Sequence, residues 1–277
     1  MGFITTNFKE NSDNVSLYYE DYGSGQPIIL IHGWPLSHRM WDNQIETLVN
    51  SGFRVIAYDR RGFGQSSKPF SGYNYNTMAS DLKDLITKLN LKNVILCGFS
   101  MGGGEVARYV GKYGTDNVSK AILISAVTPF LLETDNNKNA VDASVFDGMK
   151  EGISKDRADF FKGFGKNFVN FEKLNDKVSL AQVELNWSIA MQASLKGTLD
   201  CVDAFGKTDF REDLKSFDIP SLVIHGDDDA IVPFEVSGKK ACDMIENCQL
   251  ELIEGGPHGL SFTHSEELNK AILNFIK

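Results

Sequence analysis

The chain has 277 residues, 42% of them hydrophobic and 23% charged, enough to bury a sheet on both faces within one large domain. Its formal net charge of -9 and pI near 5.1 argue against a nucleic-acid partner or an anionic membrane surface. Cys97, Cys201, Cys242 and Cys248 show no C-x-x-C spacing, and neither a basic apolar leader nor a bilayer-length apolar run is visible, so the expectation is a soluble, cytoplasmic chain with reduced thiols.

In chain order, "GFITTNFKE" and "VSLYYEDYG" around "NSDN" read as an antiparallel hairpin at a sheet edge. The runs "PIILIHG", "FRVIAYD", "NVILCGF", "KAILISAV", "IPSLVIHG" and "QLELIEG" follow, several apolar nearly throughout, as strands covered on both faces are. Helical stripes lie between them: Trp41, Ile45, Leu48 and Val49; Met78, Leu82, Leu85, Ile86 and Leu89; and, near the end, Leu268, Ile272, Phe275 and Ile276. Gly52 and Gly114 stand where two helices should stop. Strand and helix alternation predicts an α/β fold with a mostly parallel, doubly wound sheet.

From about Pro129 to Gln192 the alternation breaks into helical, aromatic sequence, with Phe160, Phe164 and Phe168 on one stripe and Leu180, Val183, Trp187 and Met191 on another. Extra core helices would satisfy this pattern. Its position directly after a central strand favours a lid over residues 129–192, because ligands bind beyond the carboxyl ends of parallel strands.

Chemistry concentrates in "CGFSMGGGEVARY", where Gly98-Phe99-Ser100-Met101-Gly102 fits G-x-S-x-G between a strand and a helix. Such a turn holds its serine in a strained conformation and brings the backbone so close on either side that a Cβ would clash, hence the glycines. Ser100 is the candidate nucleophile, and the Met101 N–H at the helix start is free to receive an oxyanion. A phosphate cradle or a plain turn explains the flanking glycines less well.

A serine hydroxyl needs a base, and the base needs an orienting acid. Of the five histidines, His258 in "EGGPHGL" follows the last strand and is the candidate base. His32 and His225 end strands before a glycine, where an imidazole usually satisfies local backbone; His38 and His264 flank helices. In "GDDDAIVP" Asp229 is the choice over Asp227 and Asp228, with Ile231 and Val232 beside it as pocket candidates. The order Ser100, Asp229, His258 is that of this motif class. A second oxyanion donor is expected in "HGWPLS", at the Trp34 amide, with the Trp34 ring walling a pocket and Pro35 aiming the Trp34 carbonyl toward the incoming nucleophile. No metal-ligand spacing or haem-attachment motif is present, and the triple Asp lacks the Gly and Glu of a calcium loop, so no metal and no redox group is expected.

Together "HGWPLS", "AYDRRGFGQSS", "GFSMGGGEVARYVGKYG", "LISAVTP", "VFDG", "TDFREDL", "VIHGDDDAIVP" and "PHGL" resemble the cofactor-free bacterial haloperoxidases, also called non-haem chloroperoxidases, aryl esterases or perhydrolases, of the α/β-hydrolase superfamily. The resemblance covers nearly the whole chain. It implies an eight-stranded sheet with a helical cap, no cofactor, the triad Ser100, Asp229 and His258, and oxyanion amides at Trp34 and Met101. It also suggests acyl-pocket aromatics at Phe146, Phe160 and Phe164, and a homo-oligomer. The implied substrate is a small ester or carboxylic acid, with hydrogen peroxide able to replace water and yield a peracid. Another hydrolase of the same fold (a lactamase, thioesterase or carbon–carbon hydrolase) is the alternative, and a non-catalytic small-molecule binder a more distant one.

Overall fold

The computed structural model describes residues 1–10 and 13–277. The strands are β1 (Gly2–Glu10), β2 (Asp13–Tyr22), β3 (Gln26–Ile31), β4 (Phe53–Tyr58), β5 (Val94–Phe99), β6 (Val118–Ile124), β7 (Ser221–Gly226) and β8 (Cys248–Ile253). They form one sheet in the order β1-β2-β4-β3-β5-β6-β7-β8. β1 and β2 pair antiparallel, as do β2 and β4, and every other neighbouring pair is parallel. Of the turn expected around "NSDN", Asn11 and Ser12 lie outside the described residues, and Asp13 and Asn14 already belong to β2.

The helices are α1 (Asp42–Asn50), α2 (Tyr75–Lys88), α3 (Met101–Tyr113), α4 (Ala143–Lys155), α5 (Arg157–Phe168), α6 (Phe171–Leu174), α7 (Leu180–Met191), α8 (Leu195–Lys207), α9 (Arg211–Leu214), α10 (Gly238–Met244), α11 (Leu260–Thr263) and α12 (Ser265–Ile276). The unbroken apolar runs have a simple cause. Alternate residues of each central strand enter opposite cores: Ile29, Ile31, Leu96 and Leu123 join one, and Ile28, Leu30, Ile95 and Ile122 join the other. Each such side chain, fully buried, contributes about 1.5–3 kcal/mol. Gly52 and Gly114, at φ +89° and +71°, follow the ends of α1 and α3, where a left-handed residue stops a helix.

Helices α4 to α9 all lie between β6 and β7. Four of the six start at side-chain caps: Asp142, Asp156, Ser179 and Ser194 each accept a hydrogen bond from an amide in the following turn, worth about 1 kcal/mol apiece. The helical stretch does not stop at Gln192, since Ser194 caps a further helix, α8, that runs to Lys207.

One expectation is overturned. Cys242 and Cys248 are joined in a disulfide with Cα atoms 5.5 Å apart, and only Cys97 and Cys201 are free, both buried. The chain turns from the end of α10 into β8 within a few residues, and this turn brings the two cysteines to bridging distance. No helix among the described residues is long and apolar enough to cross a membrane.

Candidate active site

β5 delivers Ser100 to the carboxyl edge of the sheet and α3 starts immediately after it. Ser100 sits at φ 53°, ψ -118°, a region that costs a non-glycine residue about 1–3 kcal/mol. The surroundings hold it there. Its amide donates to the Ile124 carbonyl at 2.8 Å, and its own carbonyl accepts from Gly103 N at 2.9 Å. A Cβ on Gly98 would strike the backbone of Gly102, and one on Gly102 would strike the carbonyl of Ile31 in β3. Both glycines therefore answer to close approach, the second of them to a neighbouring strand rather than to the elbow itself.

His258 follows β8 in an irregular loop, its ring wedged between Phe99 and Phe168 at centroid distances of 4.9 and 5.1 Å. Its Nδ1 lies 2.7 Å from Asp229 Oδ2 and its Nε2 lies 2.9 Å from Ser100 Oγ. A carboxylate only accepts, so Nδ1 carries the proton and Nε2 is left as an acceptor for the serine hydroxyl. Asp229 Oδ1 accepts from the amides of Ile231 and Val232 at 2.9 and 2.8 Å. Burial pushes the Asp229 carboxyl up, but the charge of His258 and hydrogen bonds from His225 and His258 outweigh it and hold the group well below the usual carboxylate range.

The neighbouring candidates fall elsewhere. Asp227 accepts from Gly255 N at 2.6 Å, and Asp228 accepts from Asn170 Nδ2 and Lys173 Nζ at 2.6 and 3.0 Å. His225 is the exception: its Nε2 lies 2.8 Å from the Val232 carbonyl and 3.3 Å from Asp229 Oδ2, so this ring serves local backbone and also touches the Asp229 carboxylate. His32 serves local backbone: Nδ1 donates to Gly33 O at 2.8 Å and Nε2 accepts from Arg60 N at 3.0 Å. Burial, helped by Arg60, pushes His32 down to about 3, which keeps it neutral.

The loop after β3 lies against the serine, for a Cβ on Gly33 would come within 3.1 Å of Ser100 Cβ. Trp34 follows, with its indole donating to Thr198 O at 3.1 Å and its ring edge-on to Phe161, Phe164 and Phe205. Met101 is the first residue of α3, so its amide has no acceptor within the helix.

A cavity of about 440 Å³ opens above Ser100 and His258. Among the expected pocket residues, Trp34, Phe146, Phe160, Phe164, Ile231 and Val232 line it. Pro35 does not: it lines a separate small crevice with Leu36, Phe161 and Phe164. The Trp34–Pro35 peptide is cis. Sequence reasoning missed Phe205, Met149 and Val127, which also line the cavity. Met149 carried a signal, three residues from Phe146 on the same helix face. Phe205 carried none, because α8 lies beyond the stretch read as a lid.

Residues 26–265 match the family described as the alpha/beta hydrolase fold. A non-heme chloroperoxidase of Kitasatospora aureofaciens is 43% identical over 95% of this chain and 97% of its own. A bifunctional esterase/perhydrolase of Acinetobacter calcoaceticus is 39% identical over the full length of both chains. The crystal structure of a bromoperoxidase from Bacillus anthracis superposes with a TM-score of 0.95 at 50% identity, covering 99% of each chain. The eight-stranded, mostly parallel sheet and these relatives lead to one assignment: the chain belongs to the α/β-hydrolase fold family, in its branch of non-haem haloperoxidases and esterase/perhydrolases.

Proposed function

We propose that this protein is a serine hydrolase of small carboxylic esters that works through an acyl-enzyme on Ser100 and accepts hydrogen peroxide in place of water. The observation that carries the reading is the unbroken hydrogen-bonded line from Asp229 through His258 to Ser100, at 2.7 and 2.9 Å, under an apolar cavity. Ser100 Oγ attacks the ester carbonyl while His258 Nε2 takes its proton. The ionised Asp229 stabilises the imidazolium and fixes its tautomer. The amides of Trp34 and Met101, at the positive end of α3, receive the oxyanion. His258 returns the proton to the departing alcohol. Water then attacks the acyl-enzyme to give the acid. Hydrogen peroxide attacks in the same way, losing its proton to His258, and releases a peracid that oxidises halide away from the protein.

Helices α4 to α8 act as the cap in this proposal, extending the expected 129–192 lid to Lys207, with Phe146, Phe160, Phe164 and Phe205 as its contribution to the substrate wall. Homo-oligomer assembly and a cytoplasmic setting belong to the proposal too, the second set against a disulfide of the kind that persists in oxidising surroundings. The deciding experiment is turnover of p-nitrophenyl acetate with and without hydrogen peroxide, with peracid assayed by bromide-dependent dye oxidation. Ester release with peracid only when peroxide is added supports the reading; absence of ester turnover overturns it.

A further inference from the structure

The segment Tyr58-Asp59-Arg60-Arg61 takes no part in the reaction just proposed, yet all four side chains are at most 1% exposed. Burying so many ionisable groups carries a desolvation cost that pairing alone repays poorly. Their partners give a reason for it. Arg60 spreads its guanidinium over two elements. Nε donates to Glu105 Oε2 at 2.7 Å, and Nη2 donates to the His32 carbonyl at 2.8 Å. The Arg60 amide also donates to His32 Nε2, and His32 Nδ1 donates to Gly33 O. Glu105 is itself fully buried one turn after Met101 in α3, and its second oxygen accepts from the Tyr58 hydroxyl. At the other end of the Trp34 loop, Asp59 Oδ1 accepts from His38 N and Nδ1 at 2.8 and 2.7 Å.

One guanidinium thus spans the loop that carries the Trp34 amide and the helix that begins with the Met101 amide. The missing Cβ of Gly102 lets these two pieces of backbone touch, against the Ile31 and His32 carbonyls. Attraction between them is supplied by Arg60. Arg61, its neighbour, does something different: it pairs with Asp81 of α2 at 2.6 Å and stacks on Phe8 at 4.2 Å, and among the described residues its side chain makes no hydrogen bond to the Trp34 loop or to α3.

We propose that Arg60 is a positioning residue that sets the separation of the Trp34 and Met101 amides by holding the His32 carbonyl and the Glu105 carboxylate on one planar fork. The proposal rests on the reading that these amides receive the oxyanion. A lysine would still neutralise Glu105 but has no fork with which to reach both acceptors in fixed geometry. Burial alone would lower Arg60, and the Glu105 charge raises it instead, so the fork stays protonated.

The test compares wild type, Arg60→Lys, the double variant Arg60→Met with Glu105→Leu, and Arg61→Lys. Each is measured for Tm, for kcat and KM with p-nitrophenyl acetate, and for inhibition by a boronic acid, whose boron bonds to Ser100 Oγ and places an oxygen where the oxyanion forms. Removing an oxyanion donor costs about 10²–10³ in kcat, so displacing one should cost about 10- to 100-fold. Arg60→Lys should lose that factor in kcat and in boronate affinity alike, with KM within about twofold, since the amides act on the transition state rather than on ground-state binding. The double variant should fold, with no unpaired buried charge but a Tm below wild type because the Tyr58 hydroxyl and the His32 carbonyl lose their partners, and should regain neither kcat nor boronate affinity. Arg61→Lys should lower Tm and leave both intact. Wild-type boronate affinity in Arg60→Lys, or full recovery of kcat in the double variant, would overturn the positioning role. A wild-type protein that turns over no ester and binds no boronate would instead overturn the hydrolase reading beneath it.

Discussion

The carboxyl edge of the sheet and the helical insertion above it meet at one cavity but are built on opposite plans. At the sheet edge, Ser100, Asp229 and His258 are all at most 6% exposed, and the first two are pinned by backbone hydrogen bonds to neighbouring strands or loops. In the insertion, the groups that face the cavity are mostly apolar side chains, with Asp159 and Asn167 the polar ones. Phe160 and Phe164 are half-buried and stacked on each other at 6.1 Å, and Val145 is 50% exposed. Backbone geometry therefore determines where the proposed chemistry sits, and side-chain volume determines what fits beside it. Changes at the edge should abolish turnover, and changes in the insertion should redirect it.

Asp229→Asn gives the largest expected effect. An amide cannot stabilise the imidazolium or select its tautomer, so kcat should fall on the order of 10⁴. Asp228→Asn should leave kcat near wild type, since that carboxylate binds Asn170 and Lys173. The same substitution has a signature in stability. The Asp229 carboxyl is held below its ordinary value of 3.8, so the stability it contributes is complete above that value and is lost as pH falls beneath it. Asp229→Asn should remove that acid-side slope, measured as Tm against pH. A slope unchanged by the substitution would assign the acid sensitivity to other carboxyls.

Phe164→Ala sharpens the contrast from the other side. Its ring lies edge-on to Trp34 at 5.3 Å and lines the cavity. Removing it should shift preference toward longer acyl chains by ~1–3 kcal/mol per methylene accommodated. Measured as kcat/KM across a p-nitrophenyl ester series, an unchanged preference with a lower Tm would return Phe164 to packing alone.

How much of this was legible beforehand divides along the same line. The central strands could be read because both faces are covered, and Ser100 because only glycine tolerates the contacts at 98 and 102. His258 and Asp229 followed from their places after β8 and β7. The cavity wall was only half legible. Phe160 and Phe164 share a helical stripe and Phe146 was suggested by the family resemblance alone, but Phe205 enters from α8 through tertiary packing that no local pattern encodes. Pro35 is adjacent to Trp34 in sequence and still lines a separate crevice rather than the cavity. The Cys242–Cys248 bridge escaped notice because its sequence separation of 6 matches no motif, and only the α10–β8 turn makes it close.

Pro35 and Asp159 give smaller effects. With Pro35 outside the cavity, its influence must pass through the adjoining Trp34 carbonyl. One hydrogen bond from that carbonyl to the second O–H of hydrogen peroxide, about 0.5–1.5 kcal/mol, predicts a several-fold fall in the ratio of perhydrolysis to hydrolysis in Pro35→Leu. Equal loss of both rates would mean that Pro35 only shapes the loop. Asp159, exposed on α5, is the carboxylate at the cavity mouth. At about 6 Å in water its charge disfavours an anionic group by roughly threefold, less in high salt. Asp159→Asn should raise turnover of esters with anionic tails, relative to neutral ones, by about that factor. No change at low salt would remove Asp159 from the specificity of the site.

The most direct test of the acyl-enzyme is intact-protein and peptide mass spectrometry during turnover of p-nitrophenyl acetate, quenched in acid before the intermediate discharges. The account predicts one acetyl group on the peptide carrying Ser100, discharged faster when hydrogen peroxide is present, and absent in Ser100→Ala together with turnover. Ester turnover that continues in Ser100→Ala, or an acetyl group carried by another residue on the path to product, would contradict it.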